Sequence, residues 1–234
     1  LILKTYKDYI FDVGANDGSD GLAIALINKN FFVHAFEANP YLVKKISILK
    51  RKIEIRKGIK IKNYKIHSCA VSDKKRNAIF NISVNNSVSS LNKLSKNLDK
   101  SWPGYKNSIF KVEKKIKVKV IKLDDFINKN KIKRIRYLHI DTQGNDLNVL
   151  KGLNSHINKV KEGKLEAAIN KKNAAYKNNH TISDIKKFFS KTNLKIFKII
   201  KIKHFSGKRM FKNEADILFI NKKKKKNWKF KFKI

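Results

Sequence analysis

Apolar positions along this chain recur with two alternating periods. Tyr9–Val13 is a short apolar run that stops in a polar loop bearing Gly14 and Gly18, after which Leu22, Ala25 and Leu26 return at helical spacing over Leu22–Asn28. This reads as strand, loop, helix. Phe31–Phe36 is a second strand ending at Glu37, and Leu42, Ile46, Leu49 and Ile53 lie on one face of a second helix. Ile66–Ser72 reads as strand three and Ala78–Ser83 as an extra strand, while residues 87–109 are polar and aperiodic, a long loop with one helical turn. Val118–Leu123 alternates as a strand, Asp124 and Asp125 are placed to cap the helix that follows, and Tyr137–Asp141 is strand four. A helix opens at Asp146 with Gly152 suited to its C-terminal cap, Leu165–Asn170 is strand five, and Thr181 to Asp184 are spaced as a capping box for a further helix. Leu194–Ile202 and Asp216–Asn221 are two late strands.

Repeated strand–helix units predict an α/β fold, a mostly parallel sheet with helices on both faces. Ligands of such sheets bind beyond the carboxyl ends of the strands, where strand order reverses. The strand-end residues therefore carry the functional information: Asp12, Gly14, Glu37, Ser72, Asp73 and Asp141.

Glycine tolerates positive φ and lets a ligand approach the backbone, and the helix after the loop offers unpaired N–H groups to an anionic or polar ligand group. Glu37 follows Gly14 by 23 positions. An acid at about that spacing after a glycine loop accepts hydrogen bonds from ribose hydroxyls, so the pair implies a nucleoside-containing ligand. Dinucleotides and S-adenosylmethionine both qualify. The loop lacks the G-x-G-x-x-G spacing of a dinucleotide site, and Asn16 and Asp17 stand where a pyrophosphate would sit. A sulfonium cofactor carrying an ammonium group tolerates them, which favours S-adenosylmethionine.

The blocks FDVGANDG (11–18), HAFEANP (34–40), CAVSD (69–73), IKLDDFI (121–127), HIDTQGNDLNVLKGL (139–153) and EADILFIN (214–221) together resemble the FkbM-type methyltransferase family, in that family's order and over nearly the whole chain. The resemblance implies a class I methyltransferase (Rossmann-like) fold, a seven-stranded sheet with its last strand antiparallel. It also implies methyl transfer from S-adenosylmethionine, usually to a hydroxyl of a sugar, glycan or small molecule. By position, Gly14, Asn16 and Gly18 match the cofactor loop, with Asp12, Ala15 and Ala38 beside it; Glu37 matches the ribose-binding acid; Ser72 and Asp73 match the segment near the adenine; Asp141 matches the acid close to the reacting methyl group. The chain departs from the family at Gln143, where Glu is more frequent, and at Ala168, near which strand five commonly carries Glu; Glu166 lies two residues away on the same strand face. In-line transfer to a hydroxyl needs a base, for which Asp141 is the first candidate and His139 the second.

Charge adds a competing partner. Fifty-six basic residues against 18 acidic give a net charge of +38, the mark of a nucleic-acid binder. Only six of the basic residues are arginine, the residue favoured for bidentate phosphate recognition, and the lysines are spread along the chain. Abundant Lys, Asn and Ile also fit A/T-rich coding. An RNA methyltransferase or a non-catalytic polyanion-binding module is therefore the alternative. Residues 1–221 read as one methyltransferase domain, N-terminally trimmed because the sole methionine is Met210, and 222–234 as a basic tail; Lys222–Lys226 is a solvated run. The single cysteine, Cys69, excludes an intrachain disulfide and fits a cytoplasmic setting; it reads as a buried, inert thiol. The six histidines (His34, His67, His139, His156, His180 and His204) show no zinc-ligand spacing, so no metal is expected. No apolar stretch has the roughly 18 residues of a membrane span. Trp102 and Tyr105 in the long loop are candidates to stack on a sugar or cover the cofactor.

Overall fold

A computed structural model of the chain describes residues 6, 8–96, 98, 102, 107–206 and 209–223. The first apolar run forms β1 (Asp8–Val13), followed by α1 (Ser19–Ile27), β2 (Phe31–Glu37) and α2 (Pro40–Lys57). Asn39 caps α2, its Oδ1 accepting from Tyr41 N at 3.0 Å, and Pro40 takes the first helical position, where a missing N–H costs nothing. The chain continues through β3 (Tyr64–Ser68), β4 (Ala70–Val71), β5 (Arg76–Ser83), a 3-10 turn at Asn86–Val88, α3 (Asn107–Phe110) and β6 (Val112–Ile121). Then follow α4 (Leu123–Lys129), β7 (Ile135–Ile140), α5 (Asp146–Lys151), β8 (Glu162–Ala168), α6 (Ile182–Ser190) and β9 (Leu194–Lys201). A hairpin, β10 (His204–Ser206) and β11 (Arg209–Phe211), leads into β12 (Glu214–Asn221).

The main sheet has seven strands in the order β3-β2-β1-β7-β8-β12-β9. β3, β2, β1, β7 and β8 pair in parallel, and β12 runs antiparallel to both β8 and β9. This is the class I methyltransferase arrangement. On one face Phe11, Val13, Leu138, Ile140, Leu165 and Ile217 pack with Leu123 and Ile127 of α4, Leu150 of α5, and Ile185 and Phe189 of α6. On the other, Ile10, Val33 and Ala35 pack with Leu22 and Ala25 of α1 and Ile46 of α2. Among the described residues no helix is long and apolar enough to cross a membrane.

Several elements differ from the periodic reading. The expected third strand, Ile66–Ser72, divides at Cys69: β3 ends in the main sheet, while β4 turns aside to pair in parallel with β6. Cys69 N still donates to Glu37 O (3.0 Å), so the divergence begins just beyond the end of β2. β6 begins at Val112, ahead of the expected Val118, because its Lys/aliphatic alternation pairs with β5 over nearly its full length; Leu123 is the first residue of α4, fully buried in the core. Asp124 and Asp125 are not caps. Lys122 holds that position, and the two acids lie in the first turn, where they complement the helix dipole. Gly152 ends α5 in a right-handed conformation (φ −65°); glycine is required there because a Cβ would come within 2.4 Å of Ser72 O. Within 87–109, described residues make pairings that polarity does not predict. Ser90 bridges to Asn81 and Leu94 to Tyr176. The β10–β11 hairpin carries no periodic signal.

The capping box of α6 forms as spaced: Thr181 Oγ1 accepts from Asp184 N (3.3 Å), and Asp184 Oδ2 accepts from Thr181 N (2.9 Å). Because α6 buries Ile185 and Phe189 against the core, Thr181→Ala is expected to lower global stability by about 1 kcal/mol. Urea unfolding followed by circular dichroism checks this, as a lower midpoint at unchanged slope.

Candidate active site

Sheet order reverses between β1 and β7, and the carboxyl ends of these two strands nearly touch. Asp141 N donates to Val13 O (2.9 Å), and the chain leaves β1 through Gly14 at φ +85°. A Cβ on Gly14 would lie 1.8 Å from Asp141 O, an approach only glycine permits. Gly14 N and Ala15 N both donate to Phe36 O, at 2.9 and 3.0 Å, which folds the loop over the end of β2. Asn16 sits in the left-handed region (φ 49°), and its N–H donates to Glu37 Oε2 at 2.8 Å. Asn39 N donates to Glu37 Oε1 at 2.7 Å. The carboxylate of Glu37 thus ties the glycine loop to the start of α2 and keeps acceptor capacity for a further donor. Burial pushes Glu37 up to about 7, against the lowering effect of the backbone N–H groups of Asn39, Asn16 and Ala38.

The N-terminus of α1 is occupied by Asp17. Asp17 Oδ1 accepts from Ser19 N (2.9 Å) and Ser19 Oγ (2.7 Å), so a carboxylate already stands where an anionic ligand group would approach. This geometry opposes a pyrophosphate.

Beside the loop lies a cavity of about 290 Å³. Gly14, Asn16, Phe36, Glu37 and Ala38 form one wall, and Cys69, Ala70 and Val71 form an apolar shelf next to it. Segment 85–89, Trp102 and Phe110 also line it; Asp141 stands beside Gly14, and Thr142, Gln143, Tyr176, His204 and Glu214 complete the lining, with Glu214 on β12 farthest along the sheet. Among the described residues the carboxylates lining it are Glu37, Asp141 and Glu214, and none of the described lining residues is lysine or arginine. In a chain with a net charge of +38, this is a locally acidic pocket.

Gly14, Asn16, Glu37, Ala38 and Asp141 therefore share one cavity. Ala15 packs with Leu22 and Ile46, and Gly18 (φ +74°) abuts Ile46, where a Cβ would fall 2.8 Å from its side chain. Asp12 and His139 face the opposite side of the sheet, beneath α1, and are not among the lining residues. They hydrogen-bond each other (Oδ1 to Nδ1, 2.9 Å); burial disfavours the charged imidazole, but the Asp12 contact and charge raise its proton affinity overall. Ser72 is fully buried and donates from Oγ to Asn145 Oδ1 (3.2 Å) and Asp73 Oδ1 (3.1 Å); it lies outside the lining, as does Asp73. Burial raises the Cys69 thiol to about 11, which leaves it a poor nucleophile. Among the described residues no cluster of three or more His, Cys, Asp or Glu side chains is arranged to hold a metal ion. Tyr105 and residues 224–234 lie outside the described residues.

The departure at Gln143 has a local explanation. Its amide Nε2 donates to Asp141 Oδ1 (2.7 Å), and its Oε1 accepts from Tyr176 Oη (2.9 Å). Both roles suit an amide and not a second carboxylate. Gln143 (φ 54°) and Gly144 (φ 89°) turn this loop, and Ser90 Oγ holds Gln143 O at 2.7 Å. Periodicity did not reveal Glu214, Tyr176 or segment 85–89 as lining residues. For Glu214 a signal existed: an acid opening a strand whose alternate positions Ala215, Ile217 and Phe219 are all buried.

Known proteins share the fold and the family of this chain. The solved structure of methyltransferase FkbM from Methylobacillus flagellatus KT is similar at a TM-score of 0.52 and 14% identity, over 93% of this chain and 45% of that one. The chain thus spans less than half the length of that protein. Precorrin-6y C5,15-methyltransferase from Geobacter metallireducens GS-15 is similar at a TM-score of 0.41 and 12% identity, over 92% and 80% of the two chains. TrmK from M. capricolum, solved with S-adenosyl-homocysteine, gives 0.45 and 13%, over 94% and 65%. No curated protein matches the chain. A family model described as the methyltransferase FkbM domain matches residues 12–193, from the last buried acid of β1 through α6 to the threshold of β9. With that model matching well over half of the chain, the chain belongs to the FkbM methyltransferase domain family, a family of S-adenosylmethionine-dependent methyltransferases.

Proposed function

We propose that the domain binds S-adenosylmethionine in the cavity between the glycine loop and Glu214 and transfers its methyl group to a hydroxyl oxygen of a glycan or small-molecule acceptor. The observation that carries this reading is the set of carboxyls in the lining, Glu37, Asp141 and Glu214, with no lysine or arginine among the described lining residues. A sulfonium with an amino-acid ammonium is a cationic ligand, and a low-dielectric pocket edged by carboxylates favours it strongly over a pyrophosphate.

The residues fit the group in its parts. Glu37, a carboxylate at the end of β2 in the lining, is placed to accept from ribose hydroxyls. Phe36, Ala38 and the Cys69–Val71 shelf offer an apolar slot for a planar base. Asp141, held by the Gln143 amide, is placed to pair with the cationic end and keep the reacting carbon facing the far wall. When bound, the cofactor supplies an activated methyl carbon with a good leaving group. The protein's part is then alignment and exclusion of water, which segment 85–89 and Trp102 serve as a cover. His139, paired with Asp12 beneath α1, is on the wrong side of the sheet to act on an acceptor. Trp102 is buried, 5.7 Å from Phe110 and 4.5 Å from His204, so its role in the reading is to pack the cover of the cavity.

The test is incubation with methyl-labelled S-adenosylmethionine against glycans, lipids and RNA in parallel. Label in a glycan or small hydroxyl compound is the expected result. Label in RNA alone replaces the acceptor class, and no transfer to any acceptor contradicts the reading.

A further inference from the structure

Glu214 opens β12 at the far end of the cavity and is 7% exposed. In the antiparallel register it stands directly opposite Ala168, the last residue of β8. Directly opposed residues of an antiparallel pair project from the same face, so the Glu214 carboxyl fills the space that a long side chain at 168 would occupy. One step along the same face, Asp216 stands opposite Glu166. The two outer charges are compensated, since Lys164 Nζ lies 3.6 Å from Asp216 Oδ2. The two inner carboxyls, Glu166 and Glu214, stand diagonally on that face; the charge of Glu214 raises the proton affinity of Glu166, and Glu166 is a hydrogen-bond partner for Glu214 once one of the two is protonated. His204 Nε2 is 3.7 Å from Glu214 Oε2, and burial holds that imidazole toward its neutral form.

We propose that Glu214 is a catalytic residue that takes the proton of the acceptor hydroxyl, and that Glu166 is the positioning residue that aims its carboxylate at the cavity. The proposal rests on the reading of the cavity as a methyl-donor site. As the acceptor oxygen forms its bond to the methyl carbon, the bond from that carbon to the sulfonium breaks and its electron pair stays on sulfur. The acceptor's O–H proton passes to a Glu214 oxygen and from there to solvent. The groups facing the pair are Asp141 beyond β7, Asp146 on α5, Asp216 on β12, His204 on β10 and Tyr176. Burial and the surrounding carboxylates raise both glutamates well above the usual range, which makes Glu214 a stronger proton acceptor than a solvated carboxylate. Asp141, already hydrogen-bonded to the Gln143 amide, is left to the cofactor.

Sinefungin, the cofactor analogue with an amine-bearing carbon in place of the methyl-bearing sulfur, puts an ammonium where the methyl group reacts. Calorimetric titration of the 234-residue chain with sinefungin and with S-adenosylhomocysteine at pH 8.5 tests the proposal without an acceptor. The wild-type chain is expected to prefer sinefungin at least tenfold. Glu214→Gln should reduce that preference about tenfold while S-adenosylhomocysteine affinity stays within twofold, and Glu166→Gln, which keeps a hydrogen bond to Glu214, should reduce it about threefold. The wild-type preference should also fall as the pH is lowered from 8.5 to 6.5, and that slope should flatten in Glu214→Gln. A preference unchanged in Glu214→Gln but lost in Asp141→Asn overturns the proposal, as does an equal loss for both ligands in a folded Glu214→Gln chain. If Glu214→Gln does not fold, Glu166→Gln decides alone: an unchanged preference overturns the proposal. Wild-type protein that binds neither ligand overturns the methyl-donor site itself, and the proposal with it.

Discussion

Replacing Glu37 with alanine is expected to weaken S-adenosylhomocysteine binding about a hundredfold, roughly 3 kcal/mol, in a calorimetric titration at pH 8. Two losses combine. The ribose hydroxyls lose a charged acceptor, and the N–H groups of Asn16 and Asn39, now held at 2.8 and 2.7 Å, lose theirs, so the glycine loop and the start of α2 are no longer tied together. Glu37→Gln retains one acceptor oxygen and should fall between the two. The same carboxyl makes binding pH-dependent. Burial first, offset in part by backbone N–H groups, sets it at about 7 in the free protein. Ribose hydroxyls donate to the ionised form, so binding stabilises the carboxylate and displaces its proton. Affinity should therefore be fully developed above pH 7 and fall by up to tenfold per unit as the pH drops below it. The sign for folding is the reverse: a carboxyl whose folded value lies above its unfolded one contributes stability that is complete below the unfolded value of about 4.5 and is lost as the pH rises through about 7. Cofactor affinity and thermal stability should move in opposite directions between pH 6 and 8. An affinity indifferent to pH over that range would remove Glu37 from the ribose.

Gly14→Ala is the second large effect, and it acts on the fold as well as the site. Its Cβ would stand 1.8 Å from Asp141 O and 2.7 Å from Asp141 C, both backbone atoms that cannot rotate away, at a φ of +85° that alanine disfavours. The ends of β1 and β7 must separate, at an expected cost of about 3 kcal/mol or more, roughly 10 °C in Tm for a domain of this size. Gly58→Ala is the control. Gly58 shares the left-handed conformation (φ +60°) but has no atom within 4 Å of the added Cβ, so only backbone strain of about 1 kcal/mol is expected. Equal costs at the two positions, in a thermal melt followed by calorimetry, would mean that the contact with Asp141 contributes nothing.

The parts of this site that were legible in the sequence are those built from one contiguous βαβ stretch. The loop after β1 and the acid closing β2 stand close in the chain, and glycine and glutamate there are dictated by backbone conformation and hydrogen bonding. The mostly parallel sheet followed from the alternation of periods, whereas the seven strands with the last antiparallel came from the family resemblance. What escaped the sequence depends on pairings that periodicity does not encode. Cys69 leaves the main sheet because Ala70 and Val71 find partners in Val120 and Ile121, and this puts Cys69–Val71 on the cavity wall while Ser72 turns in to Asn145. His139 alternates correctly with Asp141 along the chain. But β7 ends at Ile140, so the two side chains part, one beneath α1 with Asp12 and one into the cavity. Glu214 meets Glu166 only through the antiparallel register of β12 on β8. Tyr176 lies in a polar stretch with no period, yet its hydroxyl bridges Gln143 and Val88 O (2.8 Å), fixing segment 85–89 over the pocket.

The most direct test of the account is a crystal structure of the chain with S-adenosylhomocysteine. The expected result places both ribose hydroxyls within hydrogen-bond distance of the Glu37 carboxylate, the base against Ala70 and Val71, and the sulfur between Asp141 and Glu214. A ligand bound elsewhere, or a Glu37 still satisfied only by Asn16 and Asn39 while the ribose lies apart from it, would contradict the account.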